Sequence, residues 1–70
     1  MNKFNLTPEQ IGGRVDTIRR SRKLTQEDFA EIIGYDVRTI RRWFKDGIDK
    51  ITTICDCADA LGVALVDILF

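Results

Sequence analysis

The sequence predicts an all-α fold, a compact bundle of five short helices. Signals for the start of a helix recur along the chain, and the apolar residues between them recur at intervals of three and four. No segment has the pattern of a half-buried strand. The 70 residues are enough for one small core, so we expect a single domain over residues 1–70, with residues 1–6 as a flexible arm.

The first helix is expected over residues 8–23. In the stretch LTPEQI, Thr7 occupies the N-cap position and Pro8 the first helical position, and Gln10 completes a capping box. The residues that recur at helical spacing behind this start form the inner stripe of the helix: Ile11, Val15 and Ile18.

Two adjacent glycines, Gly12 and Gly13, stand inside this expected helix. Each costs about 1 kcal/mol of helix stability relative to alanine. A glycine in a helix also lets another backbone approach closely, and we expect such a contact at one of the two positions.

The second helix is expected over residues 26–33. Thr25 is its N-cap and Asp28 occupies the capping-box position, while Gly34 suits the left-handed conformation that ends a helix. Because the next start signal, Asp36, follows only two residues later, the second and third helices are joined by a tight turn.

The third helix, expected over residues 37–45, has two faces of different chemistry. The inward face carries Ile40, Trp43 and Phe44, and the other face carries Val37, Arg38, Arg41, Arg42 and Lys45. A helix with four cations on one face fits the major groove of DNA, where an arginine fork binds a guanine edge or a phosphate. The alternative is that these cations only solvate the outer face of a core helix.

The last two helices are expected over residues 50–61 and 65–69. Gly62 ends the first of them. Ala64 occupies the N-cap position of the second, where its side chain offers no hydrogen-bond acceptor, so the local signal for this last helix is the weakest of the five.

The formal net charge is zero, which by itself disfavours a nucleic-acid-binding protein. The charges are nevertheless divided along the chain. Residues 14–45 carry nine basic and five acidic side chains, whereas residues 46–70 carry one basic and five acidic side chains. This division predicts a basic surface around the second and third helices and an acidic surface behind it.

The sequence argues against catalysis and metal binding. It has no histidine, and its two cysteines, Cys55 and Cys57, are two residues apart in an expected helix. Their side chains then diverge by about 200°, which suits neither a mutual disulfide nor a shared metal ion. We interpret them as small apolar side chains, with a redox or intermolecular role as the alternative. We expect no enzyme activity, no metal and no cofactor.

The sequence also contains no apolar run of about 18 residues, the length that a membrane span requires. The first ten residues lack the apolar region of a secretory signal. We therefore expect a cytoplasmic protein that does not associate with a membrane.

The stretch LTQEDFAEIIGYDVRTIRRW resembles the helix-turn-helix of the lambda-repressor-like, Cro/CI type of DNA-binding domain. The stretch ADALGVALVDILF resembles the closing segment of that family, so the resemblance covers residues 9–70, nearly the whole chain. It implies a five-helix bundle that binds double-stranded DNA as a symmetric homodimer.

The resemblance also implies roles for individual residues. Those expected to contact bases are Val37, Arg38 and Arg42, together with Arg41 beside them. Those expected to contact phosphates are Gln26, Thr39, Lys45, Gly47 and Lys50. For Gln26 the residue-level argument agrees, because backbone amides at a helix N-terminus attract anions, although a solvent-facing glutamine is the alternative.

Arg19 matches a family arginine that often pairs with an acid, but Phe44 occupies the place of that acid. Arg19 is therefore expected either to stack on an aromatic ring or to turn to solvent. Three further cations at the end of the first helix either face phosphate or solvate the helix end: Arg20, Arg22 and Lys23.

The leading interpretation is a sequence-specific DNA-binding transcriptional regulator of the prokaryotic or phage repressor type. The alternative is a protein-interaction module with the same fold that does not bind DNA, which the zero net charge and Val37 favour. The C-terminal stretch predicts a homodimer surface at Leu65, Ile68, Leu69 and Phe70, unless these side chains close the core of the monomer.

Overall fold

A computed structural model describes residues 6–70 of the chain. Its helices are α1 (Pro8–Ser21), α2 (Gln26–Ile33), α3 (Val37–Asp46), α4 (Ile51–Leu61) and α5 (Leu65–Leu69). The described residues contain no strand, and the helices pack around one hydrophobic core. The predicted all-α bundle of five helices is therefore confirmed.

The arm expected over residues 1–6 lies, for residues 1–5, outside the described residues. Leu6 itself is half-buried and packs against the core. This residue therefore belongs to the folded domain and not to an arm.

Side-chain caps fix the starts of α1 and α2. At α1, the amide of Gln10 donates to Thr7 Oγ1 at 3.1 Å, and the amide of Thr7 donates to Gln10 Oε1 at 2.9 Å. The corresponding bonds between Thr25 and Asp28 at the start of α2 measure 2.9 and 3.1 Å. Both predicted capping boxes are thus present, and each satisfies backbone amides that the helix itself leaves without acceptors.

Some helix ends differ from the expected positions by one or two residues. α1 ends at Ser21 because Lys23 adopts the left-handed conformation, with φ of 58°, and turns the chain into α2. α3 continues to Asp46, and Lys50 is the N-cap of α4 instead of its first residue. Asp36 is the N-cap of α3, as expected, but its side chain forms no capping hydrogen bond.

All five helices contribute side chains to the core, and the loop before α4 contributes one more. The buried hydrophobic residues are Ile11, Val15, Phe29, Ala30, Ile40, Ile48, Ile54, Cys57, Ala58, Leu61 and Ile68. Because α3 is anchored by Ile40 on its inner side, its opposite side is held facing outward.

Arg19 is the buried charged residue of the described chain, with 9% of its surface exposed. Its Nε and Nη2 both donate to Asp16 Oδ1, at 2.9 and 2.7 Å, and its Nη1 donates to the carbonyl of Leu24. The guanidinium carbon lies 5.4 Å from the centre of the Phe44 ring. Of the two alternatives for Arg19, stacking on an aromatic ring is the one observed.

Arg14 of α1 and Arg22, the C-cap residue of α1, donate hydrogen bonds to backbone carbonyls of the C-terminal helices. Arg14 Nη1 donates to the carbonyl of Ile68 at 3.3 Å, and Arg22 Nε donates to that of Leu61 at 2.9 Å. Arg22 therefore joins α1 to the end of α4, which is a structural role that the sequence did not predict.

None of the helices in the described part of the chain has the length and apolar character that crossing a bilayer requires.

Candidate nucleic-acid interface

A turn of three residues connects α2 to α3. Gly34 has a left-handed φ of 85°, and its amide donates to the carbonyl of Ala30 at 2.9 Å. The amide of Tyr35 donates to the same carbonyl at 3.1 Å, which closes the end of α2. The short connection fixes the direction of α3 relative to α2 and confirms the predicted turn at Gly34.

Aromatic contacts hold the inner side of α3. The ring of Phe44 stacks on that of Phe29, with centroids 6.2 Å apart. Trp43 packs edge-on against Tyr35 at 4.9 Å. The hydroxyl of Tyr35 in turn donates to Asp56 Oδ2 at 3.1 Å, and this bond raises the pKa of Tyr35 above its usual value. These contacts prevent α3 from rotating about its axis.

The outer side of α3 presents three cations to solvent. Arg38, Arg42 and Lys45 are exposed, and none of them has a hydrogen bond or an ion pair with another of the described residues. An external ligand would therefore displace no partner of their charged groups among residues 6–70. Val37, at the start of the same helix, is half-buried against the core and leaves only part of its side chain accessible.

Arg41 differs from these three cations because it is bound to the start of α2. Its Nε donates to Gln26 Oε1 and its Nη2 donates to Glu27 Oε2, both at 3.1 Å. The sequence pattern placed Arg41 among the residues that contact bases, but it did not reveal this partner. In the free protein, the guanidinium lies toward α2 instead of projecting straight out from α3.

Gln26 is the first residue of α2 and is half-buried. Its side-chain carbonyl oxygen accepts a hydrogen bond from Arg41, so the oxygen of the amide group points toward Arg41. The NH2 group of the same amide remains a hydrogen-bond donor. The amides of the first helical turn lie beside it and favour an anion. The structure thus brings Gln26 and Arg41 together at one edge of the α3 surface.

A family model described as helix-turn-helix matches residues 15–68, which includes α2, the turn and α3. The chain belongs to the Cro/CI-type helix-turn-helix family. This confirms the resemblance on which the sequence analysis drew, and the family is one of DNA-binding transcriptional regulators. No significant match was found among curated proteins or among solved structures.

The loop after α3 corrects one expectation. The amide of Gly47 was expected to approach a DNA phosphate, but it donates to the carbonyl of Trp43 at 2.9 Å. The next amide, that of Ile48, donates to the carbonyl of Pro8 at 3.0 Å. The first bond closes the end of α3 and the second joins the loop to α1, so both amides already have acceptors. Lys45 and Lys50 are the cationic side chains on either side of this loop.

A groove of about 410 Å³ lies between the helix-turn-helix and the start of α4. Its lining includes the polar or charged residues Thr39, Arg42, Asp49, Lys50, Thr52 and Thr53. Thr52 and Thr53 of α4 were not among the predicted site residues. Their position after Lys50 was visible in the sequence, but only the packing of α4 brings them next to α3.

The candidate dimer surface on α5 is smaller than expected. Ile68 is fully buried, with 0% of its surface exposed, because it faces the core of the monomer. Its inclusion in a partner surface is therefore wrong. Leu65 and Leu69 are half-buried, whereas Phe70 is 56% exposed. Val66, which the sequence analysis did not single out, is 51% exposed on the same helix.

The other chemistry-bearing side chains lie apart from this interface. Both cysteines are free thiols, and burial raises the pKa of Cys57 to about 12, which keeps it protonated and unreactive at neutral pH. Within residues 6–70 no group of three acidic, cysteine or histidine side chains is placed to bind a metal ion.

Proposed function

We propose that this helix-turn-helix domain is a sequence-specific, double-stranded DNA-binding transcriptional regulator of the repressor type. The observation that carries the proposal is the outer face of α3. Three exposed cations, which have no partner within the described residues 6–70, share a helix whose other side is packed into the core. Such a helix is narrow enough to enter the major groove, and its position is fixed before DNA arrives.

Arg38 and Arg42 are the residues that read bases in this proposal. Arginine donates two parallel hydrogen bonds to O6 and N7 of guanine, and both guanidinium groups are free to adopt that geometry. Val37 supplies a methyl contact for thymine from the exposed part of its side chain. These contacts give sequence preference, whereas contacts to phosphate give affinity and register.

Gln26, Lys45 and Lys50 contact phosphates on either side of the recognition helix. Gln26 lies at the N-terminus of α2, and the two lysines flank the loop after α3. Thr39, half-buried in the groove between α3 and α4, has a hydroxyl within the same surface. This arrangement holds the backbone of the duplex beside the middle of α3, at Gln26, and at the C-terminal end of α3, at the two lysines.

A homodimer completes the proposal. Val66 on α5 and Phe70 directly after this helix are four residues apart and more than half exposed, and the half-buried Leu69 lies next to Phe70 in the chain. Burying these apolar groups against a second copy favours association. A symmetric pair of recognition helices would then require two half-sites in the DNA.

Selection from a random library of duplexes tests binding, specificity and symmetry in one experiment. We expect recovery of a palindromic site whose affinity falls steeply with added salt. A folded protein that retains no duplex at low salt would contradict the proposal and favour the protein-interaction module. Recovery of a single half-site would support the DNA-binding function and contradict the proposed dimer.

A further inference from the structure

The hydrogen bonds of Arg41 join the two helices of the helix-turn-helix. Gln26 and Glu27 are the first two residues of α2, and Arg41 lies in the middle of α3. Both bonds, 3.1 Å from Nε to Gln26 and 3.1 Å from Nη2 to Glu27, use the same edge of the guanidinium. The other edge, with Nη1, has no partner among residues 6–70.

Both side chains of the ion pair between Arg41 and Glu27 are exposed to solvent. The side chain of Arg41 is 54% exposed and that of Glu27 is 66% exposed. Exposed pairs of this kind contribute little to folding stability, because water screens them and long side chains lose freedom. An external anion can therefore exchange with the carboxylate without unfolding the domain.

A backbone phosphate is the anion that reaches this position in the proposed complex. Carboxylate and phosphate oxygens accept the same charge-assisted hydrogen bonds from a guanidinium, so they compete for Arg41. Gln26, already oriented by Arg41, lies beside the same edge and offers its NH2 group. The carboxylate of Glu27 is thus located where a phosphate would bind.

We infer that Glu27 is an internal competitor for Arg41, which occupies its guanidinium in the free protein and reduces by one the phosphates that the domain neutralises on DNA. This role rests on the proposed DNA-binding function. Because the competition involves phosphate and not bases, it limits the affinity for duplex DNA of any sequence. Glu27 therefore lowers the affinity of the domain for non-specific DNA. Arg38 and Arg42 add the preference for particular bases.

The test compares Glu27→Gln with a matched control, Glu31→Gln. Both substitutions remove one negative charge from α2, but Glu31 has no ion pair or side-chain hydrogen bond within residues 6–70. Binding to a labelled random-sequence duplex is followed by fluorescence anisotropy over a series of salt concentrations. Circular dichroism and thermal melts verify that each variant folds like the parent protein.

We expect Glu27→Gln to bind the duplex about threefold to tenfold more tightly at low salt, with a slope of log K against log salt steeper by about 0.9. Glu31→Gln should give a smaller gain and an unchanged slope. In an Arg41→Met background, Glu27→Gln should lose its advantage over Glu31→Gln, because the group it releases is gone.

Equal effects of the two glutamine variants would overturn the inference, since net charge alone would explain them. An undiminished effect of Glu27→Gln without Arg41 would overturn it as well. In both cases, binding by the parent protein leaves the proposed function standing. If the folded parent and all the folded variants fail to bind duplex at low salt, the proposed function fails and this role fails with it.

Discussion

The Cα of Gly12 in α1 lies so close to the carbonyl oxygen of Trp43 in α3 that a Cβ at this position would collide with it. The end of the recognition helix is therefore seated directly on the backbone of α1. At Gly13, by contrast, an added Cβ would have no neighbouring atom within 4 Å. The two glycines are adjacent in sequence, but only the position of Gly12 has no space for a side chain.

Gly12→Ala should accordingly destabilise the domain by about 2–3 kcal/mol, because a methyl group cannot enter the contact without separating α1 from α3. Gly13→Ala is the matched control and should stabilise the protein by up to about 1 kcal/mol through its better helix propensity. Urea denaturation of both variants measures the difference. Equal stabilities would show that α1 and α3 do not approach each other as described.

Arg42→Ala should weaken binding to the selected DNA site by about 1–3 kcal/mol and relax the base preference at one position. The reason is that the substitution removes the exposed guanidinium and, with it, the proposed bidentate contact with a base edge. Arg20→Ala removes the same charge from α1, where Arg20 pairs with Asp16 at 3.4 Å, and it should change affinity little. Binding to a set of singly substituted duplexes separates the two variants.

A uniform loss across all those duplexes would show that Arg42 contacts phosphate and not bases. The salt dependence gives an independent check on this assignment. A lost phosphate contact lowers the slope of log K against log salt by about 0.9, whereas a lost base contact alters the slope less.

Two substitutions on α5 distinguish residues of the proposed dimer surface from residues of the monomer core. Val66→Ser should reduce self-association and leave the monomer folded, because Val66 is 51% exposed. Ile68→Ser should destabilise the monomer itself by about 3 kcal/mol, since it places a hydroxyl in the core and removes apolar contacts. Sedimentation equilibrium and thermal melts measure the two effects. Unchanged association of Val66→Ser would remove α5 from the proposed dimer.

The buried thiol of Cys57 predicts a loss of stability at alkaline pH. Burial raises its pKa from 9.0 to about 12 in the folded protein. Between these values the unfolded chain releases the proton while the folded chain keeps it, so the free energy of unfolding falls as pH rises. The slope approaches about 1.4 kcal/mol per pH unit. Denaturation of the parent protein and Cys57→Ala at several pH values should show a smaller decline for the variant, and parallel declines would contradict this assignment.

The sequence by itself determined the five helices and most of their starts and ends. The signals at Thr7, Thr25 and Gly34 act between residues at most four apart, so they operate before any tertiary contact forms. The inward and outward sides of α3 were also predictable, because helical periodicity assigns each side chain to a face. Those local features, together with the family resemblance, sufficed to place Arg38 and Arg42 on an exposed surface.

Tertiary packing decided which groups on those faces already have partners. Periodicity places Arg41 on the outer face of α3, but its bonds to Gln26 and Glu27 depend on the angle between two helices. The burial of Ile68 depends likewise on how α5 lies against the core, and the bond from the Ile48 amide to Pro8 depends on the approach of α1. Such contacts join residues distant in the chain, and local spacing carries no information about them.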